Sequence, residues 1–359
     1  MIENTKRFAQ ATALADRGEA SAAVALYRDI LSSQPKHLAA AKALAETLEA
    51  GRVLGDPHAA RQVVTDIETE STYSVGKTAL VNGRFDVAIR CYNKILDMDP
   101  DYDDAIWGLA ESYYGMRDFD EALKWYRAYG EKYPVDHEAR HMVAALGDGL
   151  KPLRASDSYV RETFDHFAEE FDKQLLEELG YRAPKLIHSL FREAWPGAGA
   201  DLVILDAGCG TGLAGIEFKA QASHLVGVDL SPKMLEFAGD RGIYDKLHEG
   251  ELAAFMRANE AKFDLIVAAD VFCYIGDLQE SLEAASVTLK NEGMLLFSVE
   301  SQSKRGYSLT SSGRYAHKPA YIRKSAQSAG FEEIVGRTDT LRTEYGAAVK
   351  GYITVLRKA

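Results

Sequence analysis

The chain has 359 residues, 47% hydrophobic and 27% charged, which is enough for two globular domains and excludes a disordered or low-complexity protein. Its formal net charge of −12 repels phosphate backbones and anionic lipid surfaces, which argues against nucleic-acid and membrane partners. No apolar run approaches the roughly 20 residues that cross a bilayer, and no secretory signal pattern is present. We therefore expect a cytoplasmic protein whose three cysteines, Cys91, Cys209 and Cys273, are reduced thiols.

Three similar segments fill most of the first half of the chain. In each, a small residue is followed four positions later by a tyrosine and, eight positions after that, by a proline. The three sets are Ala23, Tyr27 and Pro35; Ala88, Tyr92 and Pro100; and Ala122, Tyr126 and Pro134. The last two prolines are 34 residues apart and the first two 65, so a degenerate unit is expected over residues 36–68.

This spacing predicts pairs of helices. The small residue allows a neighbouring helix to approach, the tyrosine one turn later lies on the same face, and the proline ends the helix. The pattern resembles the tetratricopeptide repeat over about residues 5–150, with a generic helical bundle as the alternative. The resemblance implies an all-α solenoid whose concave face holds a protein or peptide partner. The acidic stretch 98–104 either attracts a basic partner or is a solvated turn.

Residues 137–141 match the H-E-x-x-H zinc pattern, in which two histidines lie one helical turn apart. However, the segment directly follows Pro134, where a capping helix should begin, and Arg140 would place a cation beside the metal. No third ligand follows at a recognisable spacing. We therefore expect a charged surface helix and no metal, with a zinc hydrolase as the alternative.

A linker is expected over residues 146–158, which divides the chain into domains 1–150 and 151–359. Beyond it, short apolar runs alternate with helical stretches, which predicts an α/β domain with a parallel sheet and ligands at the carboxyl ends of its strands. The predicted strands are 202–206, 225–229, 246–249, 263–270, 293–300, 331–337 and 349–357.

A glycine-rich turn follows the first of these strands, in the sequence D-A-G-C-G-T-G (206–212). Its alternating glycines, which allow the backbone to turn tightly and approach a ligand, are Gly208, Gly210 and Gly212. A dinucleotide-binding turn would have glycine where Leu213 stands, and Asp206 would repel a pyrophosphate. Asp206 suits a cationic ligand instead, and Asp229, at the end of the second strand, is placed to accept hydrogen bonds from a ribose.

The turn, together with V-G-V-D-L-S and P-K-M-L after it, resembles the class I S-adenosylmethionine-dependent methyltransferases over about residues 157–359. This implies a Rossmann-like seven-stranded domain that binds S-adenosylmethionine, with Asp206 favouring its cations and Asp229 its ribose. The other cofactor residues that the resemblance implies are Leu230 and Met234 over the adenine, Glu251 with Leu252 at the adenine edge, and Asp270 near the methionine moiety. As alternatives, the two aspartates could cap helices, and Met234 could be simple core.

The segment before the first strand carries a second resemblance to this family. Residues 164–172, F-D-H-F-A-E-E-F-D, are similar to the lid of small-molecule methyltransferases, in which two aromatics cover the cofactor. Phe164 and Phe171 take those positions, and Phe171 replaces the usual tyrosine, so that packing survives but a hydroxyl contact does not. An ordinary amphipathic helix is the alternative.

The acceptor site is expected at the ends of the fourth and fifth strands and in the insert that follows. Tyr274, next to Phe272 and Cys273, follows strand four, and Glu300 ends strand five. From residue 301 to 331 the chain has several basic residues and no acidic one, which predicts an anionic group on the acceptor.

The segment S-G-R-Y-A-H (312–317) supplies the remaining candidates. Arg314 carries a guanidinium that pairs with carboxylates or phosphates, and Tyr315 adjoins it as a second substrate-binding candidate. His317 is a candidate general base, and Tyr274 is the other catalytic candidate. A structurally hydrogen-bonded histidine is the alternative for His317.

We therefore expect an S-adenosylmethionine-dependent methyltransferase that acts on a small-molecule or carrier-presented, anionic acceptor and binds a protein through its repeats. One alternative is a non-catalytic adaptor whose second domain only binds or senses the cofactor. Another is a nicotinamide-dependent oxidoreductase, which Asp206 and Leu213 disfavour.

Overall fold

The computed structural model describes residues 2–51, 53–147 and 149–359. The chain forms two compact units, Met1–Tyr133 and Pro134–Ala359. The boundary expected at residue 150 lies inside the second unit, because the helix His137–Leu146 packs with that unit. Within the described ranges, no helix has both the length and the apolar character that a membrane span requires.

The first unit is all helical, as the repeat pattern predicts. Its helices are α1 (Ile2–Asp16), α2 (Ala20–Ser33), α3 (Leu38–Glu49), α4 (Pro57–Val81), α5 (Phe85–Met98), α6 (Asp103–Gly115) and α7 (Phe119–Lys132). The three alanines and three tyrosines of the repeat pattern are all buried, and each proline follows the end of a helix. The ring of Tyr92 fills the space beside Gly108, where an added Cβ would lie 2.4 Å from the ring.

The degenerate unit expected over residues 36–68 differs from a regular repeat. Helix α3 occupies its first part, but α4 continues without a break for 25 residues, through the position where the repeat would end. No proline stands near residue 69, 34 residues after Pro35, so nothing stops the helix there. One long helix therefore replaces two short ones.

The second unit places helices on both faces of a sheet. Its helices are α8 (His137–Leu146), α9 (Asp157–Phe167), α10 (Phe171–Lys173), α11 (Ala183–Ala194), α12 (Leu213–Phe218), α13 (Pro232–Asp240), α14 (Leu252–Arg257), α15 (Gln279–Thr288) and α16 (Pro319–Ser328). A π-helical turn (Gln174–Glu178) continues α10, and short 3₁₀ turns cover Lys219–Gln221 and Phe272–Tyr274.

Nine strands form one sheet in the described part of this unit. They are β1 (Leu202–Ala207), β2 (Ala222–Asp229), β3 (Lys246–Glu249), β4 (Phe263–Ala268), β5 (Leu289–Ser301), β6 (Tyr307–Leu309), β7 (Tyr315–His317), β8 (Phe331–Glu344) and β9 (Ala347–Lys358). Strands β3, β2, β1, β4 and β5 are parallel neighbours, and β9 lies antiparallel between β5 and β8. These seven strands confirm the predicted α/β architecture, and β6 and β7 are an addition that the sequence did not predict.

Apolar side chains on both faces of the central strands make two cores. Leu205, Ile266 and Phe297 belong to one core, and Ile204, Leu265 and Leu296 to the other, so successive residues alternate between the faces. The strands buried on both faces read as continuous apolar runs, which is typical of a parallel sheet. Their polar carboxyl ends are where the side chains available for chemistry collect.

Residues 149–156, expected to be a free linker, are instead fixed to the domain. The amide of Ala155 donates to the carbonyl of Tyr274 at 2.8 Å, and the amide of Gly276 donates to the carbonyl of Leu153 at 2.8 Å. Arg154 and Ile275 form an isolated antiparallel bridge. This segment is therefore an extra edge to the loop that follows β4.

Candidate functional site

An open cavity lies at the carboxyl ends of β1, β2 and β4. Its wall includes the glycine turn after β1, the residues that follow β2 and β4, the lid segment and Arg154. A smaller adjoining cavity continues past the glycine turn toward α12. A cleft outside the carboxyl ends of parallel strands is where open α/β sheets bind ligands.

The glycine turn adopts a backbone that other residues rarely take. Gly208, Gly210 and Gly212 have φ values of 67°, 52° and 96°, all in the left-handed region. A Cβ added to Gly208 would lie 2.5 Å from the side chain of Val271. The turn thus needs glycine both for its dihedral angles and for its close approach to the loop after β4.

Asp206, just before this turn, is a buried carboxylate that is only partly satisfied. Its Oδ2 accepts a hydrogen bond from the Tyr244 hydroxyl at 2.6 Å, whereas its Oδ1 has no hydrogen-bond partner among the described residues. Burial raises the pKa of Asp206 to about 7, which the hydrogen bonds from Tyr244 and the Gly215 amide only partly offset. A buried carboxylate oxygen without a partner suits a cationic ligand that supplies the missing donor.

Asp229 lines the cavity at the end of β2. Its Oδ2 accepts from the Gly210 amide at 2.8 Å and its Oδ1 from the Ser231 amide at 2.9 Å. Burial raises its pKa, against the effect of these backbone donors. The N-cap of α13 is Ser231, whose hydroxyl accepts from the Met234 amide. Asp229 therefore does not cap that helix, and its carboxylate fixes the glycine turn beside the cavity.

The other cofactor candidates divide between the cavity and the core. Leu230, Glu251 and Leu252 line the cavity, whereas Met234 is fully buried and, among the described residues, is not part of the wall. Glu251 also caps α14 and pairs with Arg154 at 3.0 Å. Burial acts to raise the pKa of Glu251, but backbone amides and Arg154 lower it below its usual value.

The predicted lid covers one side of the cavity, with both of its aromatics on the wall. The rings of Phe164 and Phe171 meet edge to face at 5.9 Å, and Phe164 meets Tyr274 in the same way at 5.5 Å. Two lid carboxylates hold it down: Asp165 accepts from the Ser231 hydroxyl, and Asp172 accepts from the Thr211 hydroxyl and pairs with Arg241. The lid is thus attached to the glycine turn after β1 and to the start of α13.

A buried network of charges closes the opposite end of the cavity. Arg342, 3% exposed, donates to Asp270 at 2.9 Å, to Glu344 at 2.7 Å and to Glu300. Arg314 donates to the same Glu344 at 2.7 Å. Asp270 has a left-handed backbone, with φ of 55°, and its carboxylate also accepts from the Ser298 hydroxyl at 2.7 Å. Every carboxylate here has a cationic partner, so those groups are already engaged.

Of the substrate and catalytic candidates, Arg314, Tyr274 and Cys273 lie on the cavity wall. Burial raises the pKa of the Tyr274 phenol, and the nearby guanidinium of Arg314 opposes that shift. The thiol of Cys273 donates to the carbonyl of Asp270 at 3.1 Å, whereas Phe272 is packed in the core. Tyr181, which the sequence analysis did not select, also lines the wall, and burial raises the pKa of its phenol as well.

The remaining candidates lie behind that wall. His317 is fully buried, its Nε2 is 3.0 Å from the carbonyl oxygen of Gly276, and burial lowers its pKa to about 4. The Tyr315 hydroxyl donates to the carbonyl of Pro152 at 2.7 Å, and Glu300 is engaged with Arg342. His317, Tyr315 and Glu300 are not among the described residues that line the wall.

The basic insert does not deliver a positive field to the cavity. Lys304, Arg305, Arg323 and Lys324 are exposed, and of the six basic residues of this insert Arg314 alone lines the wall. The positive charge that the insert places at the cavity is therefore one guanidinium, that of Arg314. That guanidinium is itself paired with Glu344.

The H-E-x-x-H segment forms α8. His141 is buried, with its Nε2 2.7 Å from the carbonyl oxygen of Gly313 and its ring stacked on Tyr159 at 4.0 Å. Burial lowers the pKa of His141. No group of three or more potential metal ligands is found in the described ranges.

Four residues of the site were not predicted from the sequence: Arg154, Tyr181, Tyr244 and Arg342. Arg342 and Glu344 alternate on a long strand, a pattern that normally marks an exposed edge. Tyr244 and Arg154 lie in segments without a motif, and their contacts join residues 38 and 97 positions apart. No local signal in the sequence identifies such long-range partners.

Two family models match parts of this chain. Residues 205–295 match the family model described as a methyltransferase domain, and residues 79–146 match the model of the tetratricopeptide repeat. The chain carries a class I S-adenosylmethionine-dependent methyltransferase domain after tetratricopeptide repeats. The predicted recognition and cofactor class are thus confirmed.

Methyltransferases of several organisms are similar to part of this chain. The human methyltransferase-like protein 27 is 41% identical over 85 residues, which is 23% of this chain and 34% of that protein. The magnesium-protoporphyrin O-methyltransferase of Rhodobacter capsulatus is 36% identical over 76 residues, 20% of this chain and 33% of that protein. A ubiquinone biosynthesis O-methyltransferase of Azorhizobium caulinodans is 27% identical over 169 residues, 41% of this chain and 66% of that protein. The matches thus span between a third and two thirds of these relatives.

Proposed function

We propose that this chain transfers the methyl group of S-adenosylmethionine to a small-molecule or carrier-presented acceptor that carries an anionic group. The observation that supports this proposal is that one cavity has Asp229, the glycine turn, Tyr274 and Arg314 on its wall. One end has the residue types that suit a cationic nucleoside, and the other has hydrogen-bond donors on a largely apolar wall.

The residues present fit the cofactor. Asp229 and Leu230 would hold the adenosine, and Glu251 and Leu252 would lie at the adenine edge. Asp206, which is buried just before the glycine turn and is not part of the described cavity wall, would favour the cationic end through its unsatisfied Oδ1. When bound, S-adenosylmethionine supplies an electrophilic methyl group. The lid aromatics Phe164 and Phe171 would exclude water from this region, which an in-line displacement requires.

At the acceptor end, the chain's own contribution is alignment. Arg314 has donors to orient a carboxylate or phenolate oxygen, and the neutral phenol of Tyr274 adds another donor beside it. We propose Tyr274 and Arg314 as the acceptor-contacting residues. We propose that His317, Tyr315 and Glu300 position the wall from behind, through Gly276, Pro152 and Arg342 respectively.

The proposal also covers the role of the tetratricopeptide repeats and the cellular compartment of the protein. We propose that the tetratricopeptide unit binds a protein or peptide partner, as its family match suggests. We also propose that the protein acts in the cytoplasm, where the unpaired thiols Cys91, Cys209 and Cys273 stay reduced. Fractionation of cells that express the chain tests the second point.

Calorimetric titration of S-adenosylmethionine and S-adenosylhomocysteine tests the cofactor part. Asp229→Ala removes a buried carboxylate from the wall and should weaken binding about 10- to 100-fold, whereas Asp240→Ala at the exposed end of α13 should leave it unchanged. Failure of the wild-type chain to bind either compound overturns the proposal.

A screen with methyl-labelled cofactor tests the acceptor part. Carboxylic acids and phenols, free or on a carrier, are incubated with the wild-type chain and with Arg314→Ala. Label should transfer to an anionic acceptor and fall at least 10-fold in the variant. Cofactor binding without transfer to any acceptor in the presence of a repeat-bound partner supports the adaptor alternative instead.

A further inference from the structure

Arg314 reaches the cavity from a tight turn between β6 and β7. The amide of Thr310 donates to the carbonyl of Arg314 at 2.9 Å, and the amide of Gly313 donates to the carbonyl of Thr310 at 3.1 Å. Gly313 has φ of +76°, so the turn needs glycine at this position. The orientation of the Arg314 backbone is therefore set by a short, strongly curved segment.

A residue of α8 holds this turn from behind. The Nε2 of His141 lies 2.7 Å from the carbonyl oxygen of Gly313, and because a carbonyl only accepts, the imidazole donates. The imidazole is stacked on the ring of Tyr159 in α9, with 19° between the planes. A Cβ on Gly313 would lie 3.2 Å from the Tyr159 hydroxyl and 3.5 Å from both His141 and Met142. The turn is thus pressed closely against two helices.

Packing along the hairpin extends this contact. Ala145 of α8 forms an apolar cluster with Leu309 of β6 and Tyr315 of β7, with Ala144 and Tyr307 at its border. Helix α8 therefore covers the hairpin on both sides of the turn. It is also the last helix within the tetratricopeptide match, which ends at residue 146.

We propose that His141 is a positioning residue that holds the turn bearing Arg314, so that helix α8 forms part of the acceptor site. The second histidine of the H-E-x-x-H segment then serves as a hydrogen-bond donor to a backbone carbonyl. Glu344 fixes the guanidinium of Arg314 at 2.7 Å, and His141 fixes the backbone one residue earlier. The role of Arg314 rests on the proposed function, whereas the anchoring of the turn is measurable without any acceptor.

Amide hydrogen exchange of the full chain, followed by mass spectrometry, measures that anchoring. His141→Leu removes the donor, and peptides that cover residues 306–317 should exchange about 10-fold faster. His141→Gln keeps an N–H donor with similar reach and should restore exchange to within about 2-fold of the wild type. His137→Leu, on the same helix at a half-exposed position, is the matched control and should change nothing in these peptides.

Two further readouts separate positioning from general destabilisation. Calorimetry with S-adenosylhomocysteine should give affinities within about 2-fold for the three variants, because His137 and His141 are not among the described residues that line the cavity. With an acceptor from the screen above, His141→Leu should raise KM about 10-fold while kcat changes less than about 2-fold. In a chain that already carries Arg314→Ala, the His141→Leu substitution should no longer raise KM.

Unchanged exchange of residues 306–317 in His141→Leu overturns the proposal. So does faster exchange spread evenly over the second unit, or a Gln variant that behaves like the Leu variant. If instead these exchange results are as expected but no acceptor is methylated, the anchoring stands and the proposed function is what has failed.

Discussion

The carboxylate of Asp206 is buried in an environment very different from water. Burial raises its pKa from 3.8 to about 7, despite the hydrogen bond from Tyr244. Because the folded protein holds a proton that the unfolded chain releases, Asp206 contributes stability at low pH that is lost as pH rises from about 3.8 through about 7. The carboxylate is therefore held ready to ionise near neutral pH.

We expect the affinity for S-adenosylmethionine to depend on this proton. A cationic ligand beside Asp206 favours the ionised form, so binding below pH 7 must release the proton, and affinity should fall up to about 10-fold for each pH unit below 7. Titration calorimetry at pH 6, 7 and 8 measures the slope. Tyr244→Phe, which removes a donor that lowers this pKa, should move the curve to higher pH, and equal affinities at all three pH values would contradict the assignment.

At the same scale, the sequence allowed prediction of residues whose role is local. The glycines of the turn are required by its dihedral angles, and Asp229 follows directly from its position after a strand. Arg342 was not predictable, because its partners Asp270 and Glu300 lie 72 and 42 positions away. Met234, implied as an adenine contact, is fully buried in the same helix whose N-cap is Ser231.

At the scale of elements, the lid is attached to the cofactor side by its carboxylates. Asp172 joins Thr211 of the glycine turn and Arg241, at the end of α13, so releasing the lid breaks a charge-assisted hydrogen bond and an ion pair. The pair is partly exposed, so its contribution is modest. Because the lid aromatics Phe164 and Phe171 cover the cavity, we expect the cofactor product to leave when the lid opens.

Asp172→Asn should therefore speed dissociation of S-adenosylhomocysteine about 5-fold, because the ion pair with Arg241 is lost while the shape is kept. The rate is measured by rapid filtration after a chase of tritiated ligand with excess unlabelled ligand. Glu169→Gln, an equal change of charge at an exposed site on the same segment, should leave the rate unchanged. Equal rates in wild type and Asp172→Asn would show that the attachment does not limit release.

The elements themselves were predictable where a pattern repeats over several turns or a whole strand. All seven predicted strands occur, and the three proline-terminated helices end as expected. The two three-residue strands β6 and β7 were missed, because segments this short contain too little periodicity. The Gly and Pro content of the extended segment before α9 predicts a linker, and this content is the same whether or not the backbone amides of the segment pair with another loop.

At the scale of the whole molecule, composition and repeats predicted two parts, but the position of their boundary depends on packing. Helix α8 lies before the boundary expected at residue 150 and packs within the second unit, where His141, Met142 and Ala145 are buried. Its sequence alone fits a repeat helix, as the match to residues 79–146 indicates. Similarity to a repeat thus does not decide with which unit a helix folds.

Two truncated chains distinguish a domain boundary before residue 134 from one at residue 150. Residues 134–359 should fold and bind S-adenosylhomocysteine with the affinity of the full chain, because this unit contains both cores and the whole cavity wall. Residues 151–359 lose the buried side chains of α8, which should cost about 3 kcal/mol and lower Tm by about 6–12 °C relative to residues 134–359. Calorimetric melting of both chains measures the difference. Equal Tm values would place the boundary at residue 150 and make α8 dispensable to the methyltransferase domain, whereas a large difference assigns that helix to the catalytic unit.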